Sequence, residues 1–179
     1  SACCAFCNSC LTLSSFCESP AALPSVFWRA SICFCRLSGV SPLPPLDSRA
    51  ARCEIGTEFA TPSPKVAVAP GELTQVFLNI LINALDVVPK GGHIQISVTQ
   101  ETPDFVAVKI HDDGAGIPPD IIPHIFDPFF TTKKNIERRG TGLGLTICYN
   151  IIKQHGGEIS VSSRQGQGTI FTITLPAAH

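Results

Sequence analysis

Methionine is absent from all 179 residues, the first position included, so the chain reads as a fragment or a processed product. No charge of one sign dominates. Thirteen Lys and Arg against fourteen Asp and Glu give a formal net charge of −1. That balance creates no field that would gather nucleic acid or anionic lipid. No uninterrupted apolar run reaches the roughly 18 to 20 residues that a membrane span needs. The best stretch, residues 21–40, is broken by Pro24, Arg29 and Arg36. A basic N-terminal run leading into an apolar stretch is missing too, and with it the pattern of a secretory signal.

Cysteine is plentiful but badly distributed. Of nine cysteines, eight lie at or before Cys53 and only Cys148 lies beyond it. In a small secreted protein that density would mark a disulfide framework. Here it precedes a segment with the helix and strand periods of an α/β domain. Cys4, Cys7 and Cys10 have the two-residue separation of a metal or iron–sulfur motif, but the usual Cys-Pro partner is missing, because Cys17 precedes Glu18. A metal site is therefore the lesser reading. Residues 1–52 are rich in Cys, Ser, Pro and Ala, hold few charges and keep no period of 3.6 or 2. They are expected to be a disordered or non-native segment, of the kind that translation out of frame would also produce. Residues 53–179 are expected to be the domain.

From Cys53 the pattern changes. Cys53 to Phe59 alternates as a strand, and Thr61 to Pro70 is a proline-punctuated connection. A helix should start at Pro70-Gly71-Glu72, with proline and an acid in the first turn, and run to Val88 before Pro89 and Gly91-Gly92 end it. His93 to Thr99 and Phe105 to His111 alternate as a hairpin. Pro118 to Ile125 suggests a short helix, Asp127 to Thr141 a basic loop, and Gly142 to His155 a second long helix stopped by Gly156-Gly157. Glu158 to Ser163 and Thr169 to Leu175 form a closing hairpin. This order predicts an α/β (α+β) two-layer sandwich, a mixed sheet with helices on one face.

Three elements could carry chemistry. On the first helix, Leu73, Val76, Phe77, Ile80, Leu81, Ala84 and Val88 make the main apolar face, with Leu78, Ile82 and Leu85 alongside. Gln75, Asn79, Asn83 and Asp86 fall in one narrow arc, made mostly of amides where a solvent-facing stripe would carry Lys and Glu. Either this is a mildly polar exposed face, or the helix is buried on most sides and the stripe lines a cavity. Amides at i and i+4 point the same way, and their oxygens suit Mg²⁺. Second, Asp112-Asp113-Gly114-Ala115-Gly116 leaves a strand into a turn where backbone can approach a flat ligand. Third, Gly140-Thr141-Gly142-Leu143-Gly144-Leu145 opens a helix whose free N–H groups can bind an anion. It has neither the Rossmann spacing nor the Gly-Lys-Ser/Thr of a P-loop. Either glycine turn alone could be purely structural.

Taken in this order, the elements resemble the GHKL superfamily of gyrase, Hsp90, histidine kinase and MutL-type ATPases. Phe77-Leu-Asn-Ile-Leu-Ile-Asn-Ala84 is similar to its N box, and Asp112 to Gly116 to its first glycine box. Phe126-Asp-Pro-Phe-Phe-Thr-Thr-Lys133 is similar to the F box of histidine kinases. Gly140 to Leu145 resembles the second glycine box, and Gly166-Gln-Gly-Thr169 the last. The likeness covers Cys53 to Pro176 and is to the catalytic domain of two-component sensor histidine kinases. It implies the Bergerat fold with a mobile ATP lid.

The resemblance also implies roles. Asp112 would accept a hydrogen bond from the adenine amino group, Gly114 and Gly116 would let base and ribose lie against the chain, and Thr169 would sit beneath the adenine. Asn83 would bind Mg²⁺ that bridges the phosphates, with Asn79 assisting. Thr141, Gly142, Leu143 and Gly144 would meet the phosphates through backbone, and Gly140, Leu145, Ile117, Phe129 and Phe130 join the nucleotide-binding set. Lys133, Lys134, Arg138 and Arg139 would lie in the lid, though a solvated surface loop explains those cations as well. ATP and Mg²⁺ are the implied cofactors. The implied partners are a histidine-bearing dimerisation domain and the receiver domain of a response regulator, in a cytoplasmic setting.

One position separates transferase from hydrolase in this superfamily. Its hydrolases carry a glutamate four residues before the Mg²⁺ asparagine, and Asn79 stands there in this chain. An amide cannot take a proton from water near neutral pH. Phosphoryl transfer needs mainly positioning and charge neutralisation, so the kinase reading is favoured over a weak ATPase. None of the five histidines precedes Cys53, where the phospho-accepting histidine would stand. His155 fits a helix C-terminus and His111 a strand end. As given, the chain should bind ATP and find its acceptor elsewhere, or else act as a nucleotide-binding module without productive chemistry.

Overall fold

A computed structural model describes residues 53–60, 64–132 and 141–178. The expectations for residues 1–52, including the Cys4, Cys7 and Cys10 spacing, lie outside the described residues, as do Lys133, Lys134, Arg138, Arg139 and Gly140. The elements follow the order β1 (Glu54–Phe59), α1 (Pro70–Val87), β2 (His93–Thr102), β3 (Phe105–Asp112), α2 (Gly144–Gln154), β4 (Glu158–Ser163) and β5 (Thr169–Pro176). They build one five-stranded sheet in the order β1-β2-β3-β5-β4. β1 runs parallel to β2 and the other pairs are antiparallel, so the sheet is mixed.

Strand alternation decides which face is covered. Ile94, Ile96 and Val98 of β2 lie on the same side as Val106, Val108 and Ile110 of β3, and as Phe171, Ile173 and Leu175 of β5. All nine are buried. Apart from Ala107, which is buried, the alternate positions on those strands, among them Ser97, Lys109, His111 and Thr172, are half-buried or exposed. Both helices cover the apolar face and pack against each other. α1 contributes Leu73, Val76, Phe77, Ile80, Leu81 and Ala84, and α2 contributes Cys148, Ile151 and Ile152. The result is the two-layer sandwich that the element order implied.

The core face of α1 is the one its sequence marks, with Val88 falling just outside the helix as its C-cap. Two boundaries differ instructively. Residues 118–125 form no α-helix: a 3₁₀ turn spans Ile122–His124. Pro118, Pro119 and Pro123 supply no N–H, and the donors that remain close short bonds, such as His124 N–H to the Ile121 carbonyl at 2.9 Å. α2 begins at Gly144 and not at Gly142, because Gly142 has φ 67°, a left-handed conformation that no helical residue takes. At the other end of α2, His155 does more than cap. Its Nε2 lies 2.6 Å from Glu72 Oε2, tying the end of α2 to the first turn of α1.

Ile173 is fully buried and sits opposite Val108 and Ile159 in the register. Ile173→Ala should cost about 2 to 5 kcal/mol through lost burial and the cavity left behind. Urea titration followed by circular dichroism should show a lower midpoint with an unchanged slope.

Candidate functional site

The alternation that buries Val106, Val108 and Ile110 continues for one more step, and that step is Asp112. Its Cα partner across the β3–β5 pair is Thr169. Both side chains are therefore directed to the covered face, at its end, where they are 2% and 3% exposed. They are the buried polar residues of the described sheet. Asp112 Oδ1 accepts the N–H of Gly114 at 3.0 Å. Burial pushes the Asp112 carboxyl above the usual carboxylate range, and the N–H groups of Gly114 and Thr169 offset part of that rise.

The loop after β3 is held down from the other side. Gly116 has φ 69°, and a Cβ there would come within 2.1 Å of the Arg164 carbonyl oxygen. Only glycine permits that approach. Gly166 N–H donates to the Ala115 carbonyl at 2.7 Å, and Ile117 N–H donates to Ser163 Oγ at 2.8 Å. The turn between β4 and β5 is thus bonded to the loop that carries Gly114 and Gly116.

Asp112 and Thr169 close one end of a cavity of about 310 Å³, a volume within the range of small-molecule sites. Its long wall is α1, through Asn79, Ile82, Asn83 and Val87. The amide stripe therefore lines a cavity at Asn79 and Asn83, while Gln75 at the start of the helix is exposed. Asn79 Nδ2 donates to the Gly144 carbonyl at 3.2 Å, so this side chain bridges α1 to the first turn of α2. Thr141, Gly142, Gly144 and Leu145 form the far end. There the N–H groups of Gly144, Leu145 and Thr146 precede the first intrahelical bond of the turn, from Ile147 N–H to the Leu143 carbonyl. Phe129 N–H donates to the Gly142 carbonyl at 3.0 Å, pinning the Phe126-to-Phe130 loop against that glycine turn.

Of the residues singled out from sequence, the cavity gathers Asn79, Asn83, Asp112, Gly116, Ile117, Phe130, Thr141, Gly142, Gly144, Leu145 and Thr169. Gly114, Phe129 and Leu143 do not line it. Gly114 acts through its N–H on Asp112, and Phe129 is 73% exposed with φ 65°. The apolar walls from Ile121, Ile125 and Phe171 were not anticipated as site residues, because their period marks them simply as core. Ser163 was missed as well. A serine at a strand end gives no signal until its partners are known.

The donor set suits a nucleotide and its cation. No group of three or more His, Cys, Asp and Glu that could hold a metal alone occurs among the described residues. Two amide side chains at i and i+4 beside a helix N-terminus fit Mg²⁺ that arrives with phosphates, since this ion takes few protein ligands. Cys148 lies behind Asn79 and does not line the cavity. Its thiol is fully buried, donates to the Val76 carbonyl at 3.6 Å, and is pushed up to about 11 by burial.

An α/β sandwich with a polar-ended cavity between the first helix and the ends of the inner strands suits the nucleotide-binding class, and comparison with known proteins gives it a family. The profile of the histidine kinase-, DNA gyrase B- and HSP90-like ATPases matches residues 69–179, and the chain belongs to that family, with the catalytic domains of sensor histidine kinases as its relatives. It is 45% identical over 113 residues to sporulation kinase E of Bacillus subtilis, covering 63% of this chain and 15% of that protein. It is 44% identical over 112 residues to the sensor histidine kinase ZraS of Salmonella typhimurium, covering 63% of this chain and 23% of that one. The chain thus spans less than a quarter of the length of these curated relatives. Among solved structures, the catalytic domain of histidine kinase ThkA superposes with a TM-score of 0.61 at 32% identity, over 70% of this chain and 80% of that one. The mycobacterial sensor histidine kinase MprB gives 0.64 at 27% identity, over 85% and 92%. No helix among the described residues is long and apolar enough to cross a membrane.

Burial of Asp112 makes a prediction with a definite sign. A carboxyl that holds its proton more tightly when folded adds stability that is present below its unfolded-chain pKa and is lost as pH rises through the folded value. Asp112→Asn, neutral throughout, should melt above wild type near pH 7 without nucleotide, and the gap should shrink as pH falls to about 4. Thermal denaturation at both pH values checks this; a variant that melts lower near pH 7 would count against the burial argument.

Proposed function

We propose that residues 53–179 are the ATP-binding catalytic domain of a sensor histidine kinase, which delivers the γ-phosphoryl group of ATP to a histidine on a separate dimerisation domain. From there the group would pass to an aspartate of a response regulator. The observation that carries this reading is one cavity with two chemically different ends. Asp112 and Thr169 stand at one, where an amino group can be hydrogen-bonded; Asn83, Asn79 and the first turn of α2 stand at the other.

In this reading Asp112 accepts a hydrogen bond from the adenine amino group, and Gly116 lets the base lie against the chain. Ile117, Ile121 and Phe130 exclude water around it. The first-turn N–H groups of α2 hold phosphate oxygens. Asn83, assisted by Asn79, would hold Mg²⁺, whose charge neutralises the phosphates and favours departure of ADP. Lys133, Lys134, Arg138 and Arg139 are proposed to add positive charge from the lid. The imidazole nitrogen of the acceptor attacks the γ-phosphorus, the bond to the β,γ-bridging oxygen breaks, and ADP leaves. Transfer is favoured over hydrolysis because Asn79, an amide, stands on the cavity wall four residues before Asn83, and Asp112 is the one carboxylate among the described residues that line the cavity, at the end away from α2. Among the described residues, no carboxylate stands beside Asn79 and Asn83 to serve as general base for water.

Calorimetric titration of Mg²⁺-ATP into the chain and into Asp112→Ala tests the pocket. Loss of one charge-assisted hydrogen bond, about 1.5 to 3 kcal/mol, should weaken binding roughly ten- to a hundredfold. Equal affinities would reject the adenine assignment. With γ-labelled ATP and a histidine-bearing dimerisation domain added in trans, label should appear on that histidine. A chain that binds ATP but transfers nothing is a nucleotide-binding module, and one that releases phosphate steadily is an ATPase.

A further inference from the structure

Ser163, the last residue of β4, has a hydroxyl with three close partners. It accepts the N–H of Ile117 at 2.8 Å, donates to the Gly168 carbonyl at 2.8 Å, and lies 3.0 Å from Thr169 Oγ1. A serine hydroxyl has one proton and two lone pairs. The Gly168 carbonyl can only accept, so it takes the proton. The Ile117 N–H can only donate, so it occupies one lone pair. What remains for Thr169 is the second lone pair, and the Thr169 hydroxyl must be the donor in that contact.

The consequence reaches the cavity. With its proton directed to Ser163, Thr169 has only lone pairs left for a ligand. Beside it stands the Asp112 carboxylate, whose Oδ1 is engaged by Gly114 and which also offers only acceptor capacity. We propose that Ser163 is a positioning residue for base selection: by holding the Thr169 proton it makes this end of the cavity purely accepting, which selects a purine with a 6-amino group over one with a 6-oxo group. The inference rests on the reading that the base meets Asp112. A 6-oxo oxygen placed against two acceptors would be left unpaired and repelled, whereas an amino group satisfies them. Ser163 itself does not line the cavity. It acts through Thr169.

Ser163 also anchors the backbone of Ile117, so its loss could loosen the pocket without altering selection. The ratio of two affinities separates these effects. Mg²⁺-ATP and Mg²⁺-inosine triphosphate are titrated into the full chain, Ser163→Ala and Ser163→Thr. In Ser163→Ala the Thr169 hydroxyl is free to turn and donate to a 6-oxo oxygen. The preference for ATP should then fall about tenfold, and Ser163→Thr, which keeps the hydroxyl, should restore it. Parallel weakening of both nucleotides at a constant ratio would overturn the role of Ser163 and leave the adenine site standing. Wild type that binds neither nucleotide, or both equally, would overturn the adenine site itself. If Ser163→Ala does not fold, wild type answers by NMR. A slowly exchanging Thr169 hydroxyl proton with a cross-peak to the Ser163 β-protons supports the assignment, and one directed toward Asp112 overturns it.

Discussion

The registered pairing of β3 with β5 is the constraint on which the rest depends. It sets Val108 against Ile173 and Ile110 against Phe171, and the same two-residue step delivers Asp112 opposite Thr169. Core and site are thus successive rungs of one ladder. A slip of one residue would send the apolar side chains to solvent and turn the carboxyl out of the cavity at once. Burying a carboxyl is costly, and it is tolerated here because the surrounding core holds the strand while Gly114 donates to Oδ1.

The helices complete what the sheet begins. α1 presents fully buried Leu73, Val76 and Ile80 to the sheet, while a quarter-turn away Asn79 and Asn83 line the cavity wall. From the middle of α1 Asn79 reaches across to the Gly144 carbonyl at the start of α2, and at the other end of α2 His155 meets Glu72 in the first turn of α1. Side-chain contacts at both ends of α2 therefore set how it lies against α1, and with it the direction of its first-turn N–H groups.

Much of this was legible in the sequence because it is periodic or local. The apolar set of α1 follows a 3.6-residue repeat, the strands alternate, and the Asp112-to-Gly116 and Gly140-to-Leu145 turns announce themselves by glycine. What was illegible depended on particular backbone donors or on distant partners. Three prolines reduced the helix expected over Pro118 to Ile125 to a 3₁₀ turn, a matter of counting N–H groups. Gly142 belongs to the turn and not to the helix because of its positive φ. Phe129, read with Phe130 as one motif, is 73% exposed at a left-handed φ and does not line the cavity, a backbone conformation that the sequence does not announce for a non-glycine residue. Ser163 gains its meaning only from Ile117, Gly168 and Thr169, the first of which lies 46 residues away in sequence.

The bond from Phe129 N–H to the Gly142 carbonyl reaches further than its single distance suggests. It ties together the two flanks of the stretch that runs from Phe130 to Thr141. Whatever runs between them starts and ends at the same place, so its length is nearly decoupled from the geometry of the two flanks. Doubling such a loop adds only about 0.6 kcal/mol of closure entropy. Insertions or deletions between Thr132 and Thr141 should therefore leave Phe129 and Gly142 in place, and with them the cavity lining that flanks this stretch.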